Sequence, residues 1–227
     1  MTETEPGAAL DRFGLDRGPH LAYDQRAMQL RPSVAHVPFD PDRFVALQRD
    51  LMMGHLSPER SRLSVPPAPL RDFALLDVGD PRAREARRAR GEAALRERRV
   101  AALILNGGMA TRFGGVVKGV VPVVPGRPDL SFLAVKLAGV RAAGVPAVVM
   151  HSFATEAASR EHLETIDWAG IPPEDRYEFL QSLLPRVKPD GTPLVSLPGA
   201  DQVPDTALYA APGHGDALRR VRESGVV

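Results

Sequence analysis

A glycine-rich loop with basic residues follows an apolar run near the middle of the chain. Residues 102 to 115 read ALILNGGMATRFGG, so Gly107 and Gly108 end the apolar run and Arg112 follows closely. Glycine lets a ligand approach the main chain without meeting a Cβ atom. Because the guanidinium of Arg112 and the ammonium of Lys118 can hold phosphate oxygens, the set suits a nucleoside triphosphate.

Two common nucleotide-binding loops do not fit this stretch. A P-loop ends in Gly-Lys-Ser or Gly-Lys-Thr, and no such triplet follows the strand here. The dinucleotide fingerprint needs the spacing G-x-G-x-x-G, which Met109 and Ala110 break. A different anion-binding loop and a tight turn without a ligand therefore both stay open on these residues alone.

The loop lies between segments that are typical of a parallel α/β sheet. VAALILNGG and VPAVVMHSF have the pattern of buried strands, and LSFLAVKLAGVRAAG between them predicts an amphipathic helix ending at Gly144. This order predicts a right-handed βαβ unit, with a ligand beyond the carboxyl ends of the strands. The loop from Asn106 to Gly115 and the exit from His151 to Thr155 should share that rim, with Thr155 as the next helix cap.

The first hundred residues favour helices over strands. FDPDRFVALQRDLMMG predicts a helix that starts at the Asp40-Pro41 pair and ends at Gly54, and its apolar stripe contains Phe44, Leu47, Leu51 and Met52. VPPAPL, residues 65–70, predicts an extended linker. DPRAREARRARGEAALRERR then predicts an exposed helix with a solvated arginine face, whereas a nucleic-acid arm through Arg82 to Arg99 is the less favoured alternative.

Composition excludes several classes of protein. With 227 residues and 44% hydrophobic residues the chain can bury a substantial core. A net charge of +1 gives no overall attraction to nucleic acid or an anionic membrane, and the absence of cysteine excludes disulfides and thiolate sites. The acidic start MTETEPG does not fit a signal peptide, and no apolar run reaches membrane-spanning length. A cytoplasmic protein without nucleic-acid or membrane partners is expected.

Further motifs occur in a fixed order after the loop. They are VVMHSFAT at residues 148–155, FLQSLLPRV at residues 179–187 and APGHGD at residues 211–216. Together with LNGGMATRFGG they resemble the UTP–glucose-1-phosphate uridylyltransferase family over about residues 100–227. The resemblance implies a Rossmann-like nucleotidyltransferase fold of the glycosyltransferase-A kind, an α/β mixed sheet. Residues 1–99 are then a mainly helical region, and residues 100–227 the N-terminal part of the catalytic domain.

The resemblance assigns a nucleotide site to several of these residues. It implies that the main chain of four loop residues surrounds the uridine, namely Leu105, Asn106, Gly107 and Gly108. Gln181 would read the uracil edge, since its amide both donates and accepts hydrogen bonds. Gly213 would let the base lie against the backbone.

The implied reaction is attack of a glucose-1-phosphate oxygen on the α-phosphorus of UTP, with release of pyrophosphate. In this resemblance Arg112 and Lys118 hold the triphosphate and are the catalytic residues, His214 contacts the phosphate or sugar of the second substrate, and Mg²⁺ is the cofactor. The family's metal-binding aspartate is expected beyond the end of this chain. Asp201, Asp205 and Asp216 are local alternatives for the metal, although Asp216 is expected instead to cap the following helix.

The sequence also departs from the family pattern. Ala110 replaces a common glycine, Lys118 is one residue out of register, and His151 stands where asparagine is usual. The chain ends at RRVRESGVV, where relatives continue into more of the sheet, so we interpret it as the N-terminal portion of a longer enzyme. Such a piece should leave strand edges and apolar surface uncovered. A homo-oligomer or the missing C-terminal half would cover them.

Two other functions stay open. The sugar could be an N-acetylhexosamine 1-phosphate, which would make a UDP-N-acetylhexosamine pyrophosphorylase. Alternatively, the chain could be a uridine-nucleotide-binding module without catalysis, because it keeps the uridine loop but lacks the metal strand.

Overall fold

The computed structural model describes residues 29–69, 79–110 and 115–226. Their contacts group into two compact units. The first contains the described residues up to Pro69 together with Leu183–Ala210, and the second contains those of Leu70–Ser182 together with Ala211–Val227. The boundary that the family resemblance places between residues 99 and 100 concerns the catalytic domain and stays a prediction.

The described residues form six α-helices and seven strands. The helices are α1 (Pro41–Met52), α2 (Pro81–Arg96), α3 (Phe132–Ala143), α4 (Glu156–Thr165), α5 (Asp205–Leu208) and α6 (Ala217–Glu223). The strands are β1 (Ala102–Leu105), β2 (Met109–Ala110), β3 (Val116–Val117), β4 (Ala147–His151), β5 (Arg176–Leu180), β6 (Leu184–Pro185) and β7 (Tyr209–Ala210). Short 3₁₀ turns connect several of them, including Lys118–Val120 and His214–Asp216.

A parallel three-stranded sheet organises the second unit. Its order is β1-β4-β5, with Leu103 opposite Val148 and Val149 opposite Glu178. Because α3 connects β1 to the parallel strand β4, the predicted βαβ unit and the α/β fold class are confirmed. The carboxyl ends of β1, β4 and β5 consequently lie at one edge of the sheet, where a ligand site is expected.

The two faces of β4 are buried in separate cores. Val149 packs with Ile104 of β1 and with Leu137 and Leu163 of α3 and α4, whereas Val148 packs with residues of β5 and α6. Each aliphatic side chain that is fully buried in this way contributes about 1.5–3 kcal/mol relative to exposure. This burial on both faces fixes the position of β4 between its neighbours.

Strand β1 is less buried than its apolar sequence predicts. Leu103 is 39% exposed and Leu105 is 37% exposed, while Ile104 between them is 7% exposed. Among the described strands β1 pairs only with β4, and it contributes no residue to the core beneath α6. The prediction of a fully buried strand is therefore wrong for these two leucines, and among the described residues one side of β1 has no paired strand.

Local sequence signals set several helix ends. The Asp40 carboxylate accepts from Arg43 N at 2.9 Å and starts α1, and Ser131 Oγ accepts from Ala134 N at 3.0 Å and starts α3. Helix α3 ends at Gly144 with φ +65°, which only glycine adopts without strain. Thr155 precedes α4 as predicted, but its hydroxyl accepts from Ser152 N at 3.0 Å and makes no cap hydrogen bond.

The arginine-rich helix α2 is fully solvated. It starts after Asp80, whose carboxylate accepts from Arg82 N at 2.9 Å, and none of its residues is buried. The predicted solvated arginine face is thereby confirmed, while the nucleic-acid alternative stays untested. The preceding segment Pro66–Pro69 has no helix or strand, and Leu70 lies outside the described residues. None of the described helices has the length and apolar character that crossing a membrane requires.

Helix α1 packs in the first unit through its predicted stripe. Phe44 is 4% exposed, and together with Leu47 and Leu51 it lines a cavity of about 180 Å³ that also contacts β6. A polar residue that the stripe did not predict lies among them, because Gln48 is buried and its Nε2 donates to the carbonyl of Gly191 at 2.7 Å.

A left-handed turn connects α4 to the segment before β5. Asp167, Trp168 and Ala169 have φ values of +41°, +49° and +53°. Trp168 is 3% exposed, and Arg176 lies 5.9 Å from the centre of its ring and donates to a main-chain carbonyl at 2.7 Å. Because this conformation costs a non-glycine residue roughly 1–2 kcal/mol, burial of Trp168 must stabilise the turn.

Candidate functional site

A cavity opens at the carboxyl end of β1. Its volume is about 420 Å³, and it is lined by the end of β1 and the following loop, the Lys118–Val120 turn, the start of α3, and His214. Leu105, Asn106 and Gly108 form one wall, and Lys118 and His214 lie on others. The structure thus brings together five of the residues that the resemblance assigned to one site.

Gly107 lies between β1 and the buried side chain of Gln181. Gln181 is 2% exposed, and its Nε2 donates to the Gly107 carbonyl at 3.2 Å. A Cβ atom at Gly107 would lie 2.2 Å from this Nε2, so a larger residue cannot occupy the position without displacing the amide. The Oε1 atom of Gln181 is buried without a hydrogen-bond partner among the described residues. Gln181 and Gly107 do not themselves line the cavity, but Gly107 lies between Asn106 and Gly108, which do, so a buried acceptor lies behind the loop.

The side chain of Asn106 anchors the loop to α4. The side-chain Nδ2 of Asn106 donates to the buried Ser159 hydroxyl at 2.7 Å, and the main-chain N of Asn106 donates to Met150 O at 2.9 Å. On the other side, a Cβ at Gly119 would lie 2.2 Å from Asn106 Oδ1. These contacts hold the wall of the cavity in place. Ser159 and Gly119 were not predicted, because neither belongs to a sequence motif and both act through a tertiary contact.

The cavity is lined by cations and by no acid among the described residues. Lys118 Nζ lies 5.2 Å from the centre of the Phe132 ring at the start of α3, a cation–π contact. Lys136, one helical turn after Phe132, also lines the cavity. Sequence reasoning missed Lys136, although its spacing from Phe132 places both side chains on one face of α3. An anionic ligand suits this lining.

Asp216 fixes the segment that carries His214. Its carboxylate accepts from Ser182 N at 2.7 Å, directly after Gln181, and from Arg219 Nη2 at 2.7 Å. Burial raises the pKa of Asp216, but the hydrogen bonds from Ser182 and Arg219 outweigh burial, so its pKa lies below the usual value. The predicted helix cap is wrong in detail, since Asp216 precedes α6 but makes no side-chain cap hydrogen bond.

A buried pair supports the ends of β4 and β5. His151 is fully buried, and its Nε2 lies 2.8 Å from Glu178 Oε1, which is also 3.5 Å from Arg160 Nε. Burial raises the pKa of Glu178, but the hydrogen bond with His151 and the charges of His151 and Arg160 leave it below the usual value. The carbonyl of His151 accepts from Gln181 N at 2.9 Å. This pair therefore supports the backbone that carries Gln181.

The remaining predicted residues lie elsewhere. Gly213 has φ +94° and adjoins His214 but does not line the cavity. Arg112 lies outside the described residues, as does Thr111. Asp205 forms an ion pair of 2.9 Å with Arg31 in the first unit.

The described residues do not offer a magnesium site. They contain no cluster of three or more histidine, aspartate or glutamate side chains that could hold a metal ion. Asp216, the carboxylate nearest His214 in sequence, is already bonded by Ser182 and Arg219. The residues present thus do not fit Mg²⁺, and no chemical step can be derived through it here.

Comparisons with known proteins agree with this fold. The sequence model of the UTP–glucose-1-phosphate uridylyltransferase family matches residues 68–227. A UDP-glucose phosphorylase from Trypanosoma brucei is similar in structure, with a TM-score of 0.57 and 24% identity over 85% of this chain and 39% of that chain. No match was found among curated proteins.

Two further structures are less similar. A uridine diphosphate N-acetylglucosamine pyrophosphorylase from Trypanosoma brucei has a TM-score of 0.49 and 23% identity over 70% of this chain and 33% of that chain. The UDP-glucose pyrophosphorylase from Leishmania major has a TM-score of 0.42 and 26% identity over 56% and 26% of the two chains. The chain spans about a quarter to two fifths of the length of these structures. With the family match extending over more than half of its residues, this chain belongs to the UTP–glucose-1-phosphate uridylyltransferase family.

Proposed function

We propose that this chain binds UTP in the cavity beside β1 and takes part in transfer of its uridylyl group to glucose 1-phosphate. The observation that carries the proposal is the combination of a buried, unpartnered acceptor on Gln181 with a cavity lined by Lys118, Lys136 and His214. The acceptor matches a donor on a base, and the two lysines match phosphates. Family membership supports the same assignment.

Gln181 would recognise the base. An unpaired buried acceptor costs about 1–3 kcal/mol, and the N3–H donor of uracil would satisfy its Oε1. Cytosine carries an acceptor at N3 and cannot replace that donor. Gln181 would therefore favour UTP over CTP, while the main chain at Gly108 leaves room for the flat ring.

Lys118 and His214 would act on the phosphates. An oxygen of the sugar phosphate attacks the α-phosphorus of UTP as the bond from that phosphorus to the bridging oxygen breaks, and pyrophosphate leaves with the electron pair. The nucleophile is already ionised at neutral pH, so no general base is required. Lys118 would balance the charge that grows on the leaving group, and His214 would orient the sugar phosphate. We propose that Arg112, like Lys118, would balance the charge that grows on the leaving pyrophosphate.

Mg²⁺ stays a proposed cofactor, and no step above depends on it. The described cavity contains no residue that separates glucose from an N-acetylhexosamine, so the second sugar remains an alternative. A binding module without turnover is the other alternative. Cytoplasmic location and association with further copies also stay predictions.

Base recognition is tested by titrating UTP and CTP into the wild type and the Gln181→Leu variant. The wild type should prefer UTP, and the variant should lose most of that preference because the acceptor is gone. Gln202→Leu is the matched control, since Gln202 is an exposed glutamine in the first unit. An unchanged preference in Gln181→Leu would refute the assigned role.

Catalysis is tested by pyrophosphate release from UTP with glucose 1-phosphate or N-acetylglucosamine 1-phosphate, with and without Mg²⁺. Lys118→Ala should lower kcat by roughly 10²-fold and UTP affinity by less, as expected for a group that stabilises developing charge. Lys188→Ala, which removes a lysine of the first unit, is the control. Equal turnover in Lys118→Ala would refute its role, and UTP binding without turnover in the wild type would favour the binding module.

A further inference from the structure

Lysine is rare in this chain, and its placement is uneven. The sequence contains three lysines against 26 arginines. Two of the three, Lys118 and Lys136, line the same cavity. The third, Lys188, lies in the first unit and pairs with Asp190 at 3.7 Å. In a chain that mostly uses arginine for positive charge, two of the three compact ammonium groups thus lie at the cavity.

Lys136 is held where its charge can reach the cavity. It lies in the second turn of α3, on the same face as Phe132, because residues four apart on a helix are neighbours. Lys118 lies over the Phe132 ring on that face. Leu133 and Leu137 are buried on the core side of α3, which fixes the rotation of the helix and leaves Lys136 exposed.

The charge of Lys136 has no counterion in the described structure. Among the residues that can be placed, Lys136 makes no ion pair and no hydrogen bond, and none of the residues that line the cavity is acidic. Two ammonium groups that line one cavity repel each other, and an anion bound between them lowers that repulsion. A polyphosphate supplies that anion, because it carries several negative oxygens along a flexible chain.

We propose that Lys136 binds the β- and γ-phosphates of the nucleotide, together with Lys118. This assignment rests on the proposed function, in which the nucleoside lies against the main chain of the loop from Leu105 to Gly108. The phosphate chain then extends along the wall formed by the start of α3. Lys136 contacts the phosphates that leave as pyrophosphate, and its flexible stem lets the ammonium follow them.

The experiment measures the affinities of UMP, UDP and UTP for the full chain at one fixed ionic strength. The wild type should bind UTP more tightly than UMP. Lys136→Ala should lower UTP affinity about tenfold or more and change UMP affinity by less than about twofold, since a hydrogen bond to a charged group is lost only for the longer phosphate chain. Lys136→Arg should recover part of the loss, because it restores the charge.

Lys188→Ala is the matched control, and it should bind all three nucleotides like the wild type. The proposal is overturned if Lys136→Ala binds UTP as the wild type does, or if it loses UMP and UTP affinity equally. ATP, CTP and inorganic pyrophosphate separate this failure from failure of the uridine assignment. One outcome is that the wild type binds ATP and UTP with equal affinity, while Lys136→Ala lowers the affinities for ATP, UTP and pyrophosphate. That result would refute the uridine site and support the phosphate role of Lys136.

Discussion

Replacing Gly107 with alanine tests how tightly the loop packs against Gln181. The new Cβ would lie 2.2 Å from Nε2 and 3.0 Å from Cδ of Gln181. Non-bonded heavy atoms attract each other at roughly 3.5–4.0 Å, so the amide must move by more than about 1 Å. Because Gln181 is 2% exposed, its end cannot move out into solvent as that of a surface glutamine would.

The size of the effect follows from two terms. Overpacking a filled interior costs about 1–3 kcal/mol, and loss of the hydrogen bond from Gln181 Nε2 to the Gly107 carbonyl, 3.2 Å long, costs about 0.5–1.5 kcal/mol. Gly107→Ala should therefore lower the free energy of unfolding by about 1.5–4.5 kcal/mol. For a domain of this size, the melting temperature should fall by roughly 3–18 °C.

A double-mutant cycle in urea separates this clash from a general intolerance of alanine. Gln181→Ala removes both close atoms, and the next nearest is the main-chain carbon of His151, at an ordinary contact distance of 3.5 Å from the new Cβ. In that background Gly107→Ala should cost less than about 0.5 kcal/mol. An equal cost in both backgrounds would refute the packing argument. Gly108→Ala is the adjacent control, since its Cβ would meet nothing within 4 Å and stability should hardly change.

Three further perturbations test the fold that holds the site. Ala169→Gly should be at least as stable as the wild type in urea, because it relieves the backbone strain of a φ of +53°. The control Ala138→Gly, in the exposed middle of α3, should lose about 1 kcal/mol. Equal losses in the two variants would contradict backbone strain at Ala169. Leu103→Lys should reduce self-association, measured by sedimentation, without changing the free energy of unfolding by more than about 0.5 kcal/mol. The control Val148→Lys, at the buried residue opposite Leu103, should prevent folding. Unchanged self-association in Leu103→Lys would refute the exposure of β1 as its cause. The pKa of Glu178 lies below its usual 4.5 in the folded chain, so its contribution to the free energy of unfolding should be complete above about pH 4.5 and disappear as the pH falls through the folded pKa. In urea titrations at several pH values, Glu178→Gln should show a smaller loss of stability at low pH. The same dependence of stability on pH in variant and wild type would contradict this role of Glu178.

Features that a few neighbouring residues determine were predictable from the sequence. Asp40 starts α1 and Gly144 ends α3 because a carboxylate cap and a left-handed glycine act within one turn of helix. The βαβ unit was equally accessible, since hydrophobic periodicity and the handedness rule suffice for it. The ordered motifs assigned Leu105, Asn106, Gly108, Lys118 and His214 to one nucleotide site, and these five residues line one cavity; their roles stay predictions.

Features that depend on distant contacts were not predictable in the same way. The burial of Gln48 depends on Gly191, 143 positions later, and the anchor of Asn106 depends on Ser159. The exposure of Leu103 depends on what packs over its face of the sheet, where the core beneath α6 contains no residue of β1, and its own apolar side chain cannot reveal that. The left-handed turn at Trp168 contains no glycine at its first three positions, so no local signal marked it.

The two glycines of the loop also have different reasons to be glycine. The sequence alone predicts that a ligand approaches the main chain at both. A Cβ at Gly107 would meet Gln181, so that position is filled from within the protein and no ligand is needed to explain it. A Cβ at Gly108 would meet open space, and Gly108 lines the cavity. If the site binds a nucleotide as proposed, Gly107→Ala should act mainly on stability, and Gly108→Ala should act mainly on nucleotide affinity. The pair of glycines therefore combines one position that the fold requires with one that a ligand can use.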